Sequence, residues 1–91
     1  MKAAEWIDRV KKSLGIESDY AAAKALGISR NAISTYRAKG STLDEAASLS
    51  VASALGIAPA GVILDQIAER VKAPEVRTTL LAEARRLCIL C

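Results

Sequence analysis

The sequence predicts an all-α protein, a compact bundle of five to six short helices, and three observations predict it. Glycines at 15, 27, 40 and 56 each follow an apolar-periodic stretch, as expected where helices stop in a left-handed residue. Apolar residues recur at three- and four-residue spacing, whereas no alternating run of β-branched residues is bounded by hairpin turns. Hydrophobic residues make up 52% of the chain but aromatics only 3%, with no Phe, so Ala, Leu, Ile and Val must build the core. That composition suits close packing of short helices. A chain of 91 residues has room for one compact domain and buries only a modest share of its surface, which makes self-association a ready source of stability.

The elements follow in order. A first helix from about Lys2 to Leu14 places Ala3, Trp6, Ile7, Val10 and Leu14 on one face, with Trp6 in the core. Ser18 is a good N-cap for a short second helix through Leu26, and Ser29 caps a third that runs to about Lys39. Thr42 and Glu45 form a capping-box pattern for a fourth, which turns Leu43, Ala46, Ala47, Val51, Ala54 and Leu55 inward. Pro59 suits the first turn of a fifth, although Ala58 stands where a polar cap is expected; Val62, Ile63, Ile67 and Val71 are its buried stripe. Pro74 breaks that helix and opens a sixth with Val76, Leu80, Ala84, Leu87 and Cys91 on one face. Asp65, Glu69 and Glu83 fall among polar positions and read as a solvated face.

Several function classes fall away. There is no His, no nucleophile–base pair and no Gly-rich phosphate loop, so nothing supports catalysis or a cofactor. Cys88 and Cys91 have CxxC spacing, but without His or a second Cys pair they make no zinc site, and packing is the better reading. No apolar run approaches a membrane span, the charged N-terminus is unlike a secretory signal, and the two cysteines cannot staple a fold that precedes them. A cytoplasmic protein is expected. Charge is uneven: residues 1–40 hold eight Lys/Arg against four Asp/Glu, residues 41–91 five against six, and no acid lies between Lys24 and Lys39. A phosphate backbone favours such a footprint, and by charge alone a solvated basic face would look the same.

The informative segment is residues 18–37. Two helices meeting steeply across a short turn need a very small residue at the crossing, which Ala23 supplies, and a turn residue free to adopt positive φ, which Gly27 supplies. Ala22 and Leu26 from one helix, and Ile28, Ile33 and Tyr36 from the other, supply the apolar bridge. With Ala23, Gly27 and Ile33 in that order, the segment resembles the helix-turn-helix of the phage Cro and repressor family of transcription regulators. That resemblance implies a lambda-repressor-like DNA-binding fold over about residues 3–56. Residues 68–77 further resemble the C-terminal part of small repressor-like proteins of filamentous phages and prophages.

In such a motif the N-terminal residues of the second helix reach base edges in the major groove. Ser29, Arg30, Asn31, Ser34 and Thr35 are then the expected base contacts, with Arg30 suited to guanine and Asn31 to adenine. Ser18, Tyr20, Lys24, Arg37 and Lys39 are expected at phosphates; for Arg37 and Lys39, favourable placement at a helix C-terminus explains the residues equally well. One recognition helix reads too few base pairs to select a site, so a homodimer on a palindromic operator is expected. Residues 1–57 would bind double-stranded DNA. Residues 58–91 would pack on the same domain and pair two copies through Val62, Ile63, Ile67, Leu80 and Leu87. The leading expectation is a phage or prophage repressor; an antitoxin of a toxin–antitoxin pair, or a helical interaction module without DNA binding, are the alternatives.

Overall fold

The computed structural model describes residues 1–89, and among them it shows six α-helices and no strand. They are α1 (Ala3–Leu14), α2 (Asp19–Leu26), α3 (Arg30–Lys39), α4 (Glu45–Leu55), α5 (Pro59–Arg70) and α6 (Pro74–Ile89). Helices α1 to α4 each end at a glycine with φ between 66° and 68°, the stops expected from the sequence. Ser18 and Ser29 cap α2 and α3 as expected: each Oγ accepts a backbone N–H three residues on, at 3.0 Å.

The fourth helix begins differently. Its cap is Asp44, whose Oδ1 accepts from the Ala47 N–H at 2.7 Å, and not the Thr42–Glu45 box. Leu43 is drawn into the core and its N–H is taken by Gln66, so the chain stays extended through residue 44 before the helix can start. The buried stripe of α4 runs through Ala47, Ser48, Val51 and Ala52. Ala46 is exposed, and Ala54 and Leu55 are only half-buried.

Trp6, Ile7 and Val10 of α1, Ala22, Ala23 and Leu26 of α2, Ile33 and Tyr36 of α3, Leu43, and Val62 of α5 meet in one core with the α4 stripe. Leu14 does not join it. It is 45% exposed, because it lies at the helix end beyond the packed stretch.

In α5 the expected apolar stripe is corrected: only Val62 is fully buried, while Ile63, Ile67 and Val71 are half-buried. The buried face instead carries Gly61, Asp65, Gln66 and Ala68. Asp65 is 6% exposed and is no part of a solvated face. Its Oδ2 accepts from the Trp6 indole N–H at 2.8 Å and its Oδ1 from the Met1 amine at 2.9 Å. Gln66 completes the knot: Oε1 accepts from the Leu43 N–H, and Nε2 donates to the Met1 carbonyl and to Asp65. Every polar atom of this cluster finds a partner, which is the condition for burying it without a large penalty.

Helix α6 packs mainly on α5. A Cβ at Gly61 would sit 2.8 Å from the Cys88 Sγ and 3.4 Å from the Ala84 carbonyl, so the bare glycine permits the close approach. Arg77 reaches back across the joint and donates to the carbonyls of Ala68 and Val71, satisfying acceptors at the end of α5. Of the expected α6 face, Ala84 is buried, and Leu80 and Leu87 are half-buried. Val76 is 47% exposed, since one neighbouring helix covers only a narrow stripe. Cys91 lies outside the described residues.

Candidate nucleic-acid interface

Helices α2 and α3 are joined by Gly27, Ile28 and Ser29. Gly27 adopts φ +68°, and the Ile28 N–H closes back on the Ala23 carbonyl at 3.0 Å, so the chain reverses in three residues. A side chain at Gly27 would cost about 1–2 kcal/mol in this left-handed conformation. Ala23 and Ile33 are buried with Ala22, Leu26 and Tyr36, while Ile28 and Ala32 are half-buried beside them.

With that face buried, α3 turns its polar residues outward. Arg30, Asn31 and Ser34 are exposed, and no carboxylate lies on the helix. Two of the five expected base-contacting residues have prior engagements. The Ser29 Oγ is the cap acceptor, although its own proton remains available to donate. The Thr35 hydroxyl is half-buried and donates to the Asn31 carbonyl at 2.9 Å, which turns it back onto its own helix.

The basic residues divide sharply. Lys24, on α2, and Lys39, at the end of α3, are both exposed. Arg30 and Lys24 each lie over the Tyr20 ring, at 5.2 and 5.4 Å from its centroid. Ser18 is exposed at the start of α2 with its Oγ in the cap. Arg37 is held quite differently from its expected place at a phosphate. Its Nε and Nη2 grip the two oxygens of Asp19 at 2.7 and 2.8 Å, and Nη2 also reaches Asp8 at 2.8 Å. Lys11 adds a bond to Asp19 at 3.1 Å. Arg37 stays exposed, but these ion pairs tie it down and pin α3 to α1 and α2.

This pinning has a pH signature. The Arg37 hydrogen bonds, with help from Lys11, pull the Asp19 carboxyl from 3.8 down to about 2, and the two carboxylates raise Arg37 further above its ordinary range. A carboxyl depressed on folding stabilises the fold above its unfolded value and loses that contribution as pH falls through the folded one. Melting temperatures of the wild type should therefore fall between pH 4 and 2 by more than those of Asp19→Asn. Identical profiles would contradict the pairing. Since the partners are about a third exposed or more, Arg37→Ala should cost only about 1 kcal/mol after allowance for solvent screening.

Of the residues expected to pair two copies, Val62 is fully buried within its own chain and is not available to a partner. Ile63, Ile67, Leu80 and Leu87 are half-buried on α5 and α6. Leu80 lines a shallow cleft with Glu75, Val76 and Thr79. Cys88 is half-buried against the core, and among the described residues no three potential metal ligands cluster. No helix among them is long and apolar enough to cross a membrane.

The Tyr20 contacts, the Asp8–Asp19–Arg37 grip, the Asp65–Gln66 knot and the Arg77 clasp were not expected from the sequence. Only the first left a local trace, the four-residue spacing of Tyr20 and Lys24 on one helix. Comparison with protein-family models, with curated proteins and with solved structures finds no match to this chain.

Proposed function

We propose that the chain is a sequence-specific regulator of transcription that binds double-stranded DNA, with α2 and α3 as a helix-turn-helix and α3 in the major groove. The observation that carries this reading is the outward face of α3. Arg30, Asn31 and Ser34 stand exposed at and near its N-terminal end, the helix carries no carboxylate, and Lys24 and Lys39 remain exposed for phosphates. Arg30 offers a two-pronged donor for guanine, and Asn31 a matched donor and acceptor for adenine. Residues 1–57 read the DNA in this account, and α5 and α6 pair two copies through Ile63, Ile67, Leu80 and Leu87. The resemblance to Cro and repressor regulators favours a phage or prophage repressor acting in the cytoplasm on a palindromic operator.

Selection of bound sites from random duplex DNA tests this directly. The expected product is an inverted repeat with half-sites about one helical turn apart. Recovery of no enriched sequence would sink the reading, and an unrepeated half-site would remove the dimer. Salt dependence separates the two kinds of contact. Lys39→Ala should weaken binding to all sequences alike and reduce the slope of log affinity against log salt by about 1. Arg37→Ala should leave that slope unchanged, because its guanidinium is already paired.

A further inference from the structure

We propose that Tyr20 positions Arg30 for base readout, a role that rests on the DNA-binding reading above. Arg30 is the first residue of α3, where the positive end of the helix dipole disfavours a cation, and no acid stands in that first turn to offset it. Among the described residues no carboxylate pairs with Arg30. What holds it is the Tyr20 ring, 5.2 Å from the guanidinium carbon, within the range of a cation–π contact.

The manner of holding matters. Arg37 is fixed by acceptors: its Nε and Nη2 donors, three of five N–H groups, go to Asp19 and Asp8, which turns its fork inward. A guanidinium held over an aromatic ring keeps its N–H donors, which lie in its own plane, for the fork that matches guanine. Tyr20 therefore restrains a long side chain without occupying the groups that read DNA. Tyr20 is 52% exposed and is not among the core residues, so core packing does not explain it. Lys24 shares the same ring at 5.4 Å, and among the described residues neither cation has an ion-pair partner, so the ring gathers two positive charges at this end of the motif.

Site selection should be repeated with Tyr20→Leu, Tyr20→Phe and Arg30→Ala beside the wild type. Arg30→Ala identifies the base pair that Arg30 reads. At that base pair Tyr20→Leu should lose about two- to fivefold of its discrimination, the scale of an exposed cation–π contact, while Tyr20→Phe retains it. The salt slope should not change in either variant. In the free protein, the Arg30 δ-methylene protons should show an upfield ring-current shift by NMR that Tyr20→Leu abolishes and Tyr20→Phe keeps.

Full discrimination in Tyr20→Leu would overturn the proposal. So would equal losses in the two tyrosine variants, which would make the hydroxyl a phosphate contact instead. A wild type that enriches a sequence indifferent to Arg30→Ala removes the positioning role but leaves DNA binding intact. A wild type that enriches nothing overturns both readings together, even where the NMR contact is present.

Discussion

Arg30→Ala and Asn31→Ala are each expected to cost about 1–3 kcal/mol of specific DNA affinity, roughly a 5- to 150-fold loss, and to relax preference at one base pair per half-site. The size follows from what each side chain would do. A two-pronged contact with a base edge satisfies two acceptors, or a donor and an acceptor, and the wrong base leaves them unmatched in a partly dehydrated groove. Both residues are exposed and neither takes part in the core, so their replacement should leave the melting temperature within about 2–4 °C of wild type, as usual for surface sites. Binding to unrelated duplex should fall less than binding to the selected site, since phosphate contacts supply the non-specific part. Fluorescence anisotropy at fixed salt, with selected and scrambled duplexes, gives both numbers. Unchanged affinity and preference in Arg30→Ala would show that α3 does not read DNA through this end.

The largest expected effect on stability belongs to Asp65. Asp65→Ala removes the acceptors for the Trp6 indole, the Met1 amine and the Gln66 amide at once. A buried indole N–H would lose its partner and the Gln66 amide one of its two, while the amine, which is partly exposed, can turn to water. The cost should be about 2–4 kcal/mol, a large fraction of the stability of a domain this size. Thermal unfolding should shift downward by more than about 10 °C. Trp6 emission should move to longer wavelength as water reaches the ring. Asp65→Asn retains one acceptor and should fall between the two. A melting temperature unchanged in Asp65→Ala would mean that the knot carries no net stability, its hydrogen bonds merely replacing those made with water.

How much of this was legible beforehand depends on the range of the cause. Helix ends were legible because caps act over three residues: Ser18 and Ser29 sit one position before helices they help to start. The start of α4 was misread because two local signals competed, and the burial of Leu43 chose Asp44 over Thr42. The scaffold of α2 and α3 was legible because small, flexible and apolar residues have to fall at set spacings for the two helices to meet. Asp65 was read as solvated because an acidic residue among polar neighbours ordinarily is. Its partner Trp6 is 59 residues away, and no local pattern announces it.

By itself, the sequence determined an all-α bundle of five to six helices, the four glycines that stop helices and a third helix with one apolar and one acid-free polar face. Those properties arise from neighbours within one or two turns, where spacing and side-chain chemistry suffice. Only the tertiary structure decided which cations remain available. Arg30 and Arg37 sit seven residues apart on one short helix and look alike in the sequence. Folding brings Arg37 to Asp8 and Asp19, from positions 29 and 18 residues earlier, and Arg30 to a tyrosine ring. One arginine thereby becomes a clasp and the other keeps its donors, because ion pairs and ring contacts depend on where distant segments meet.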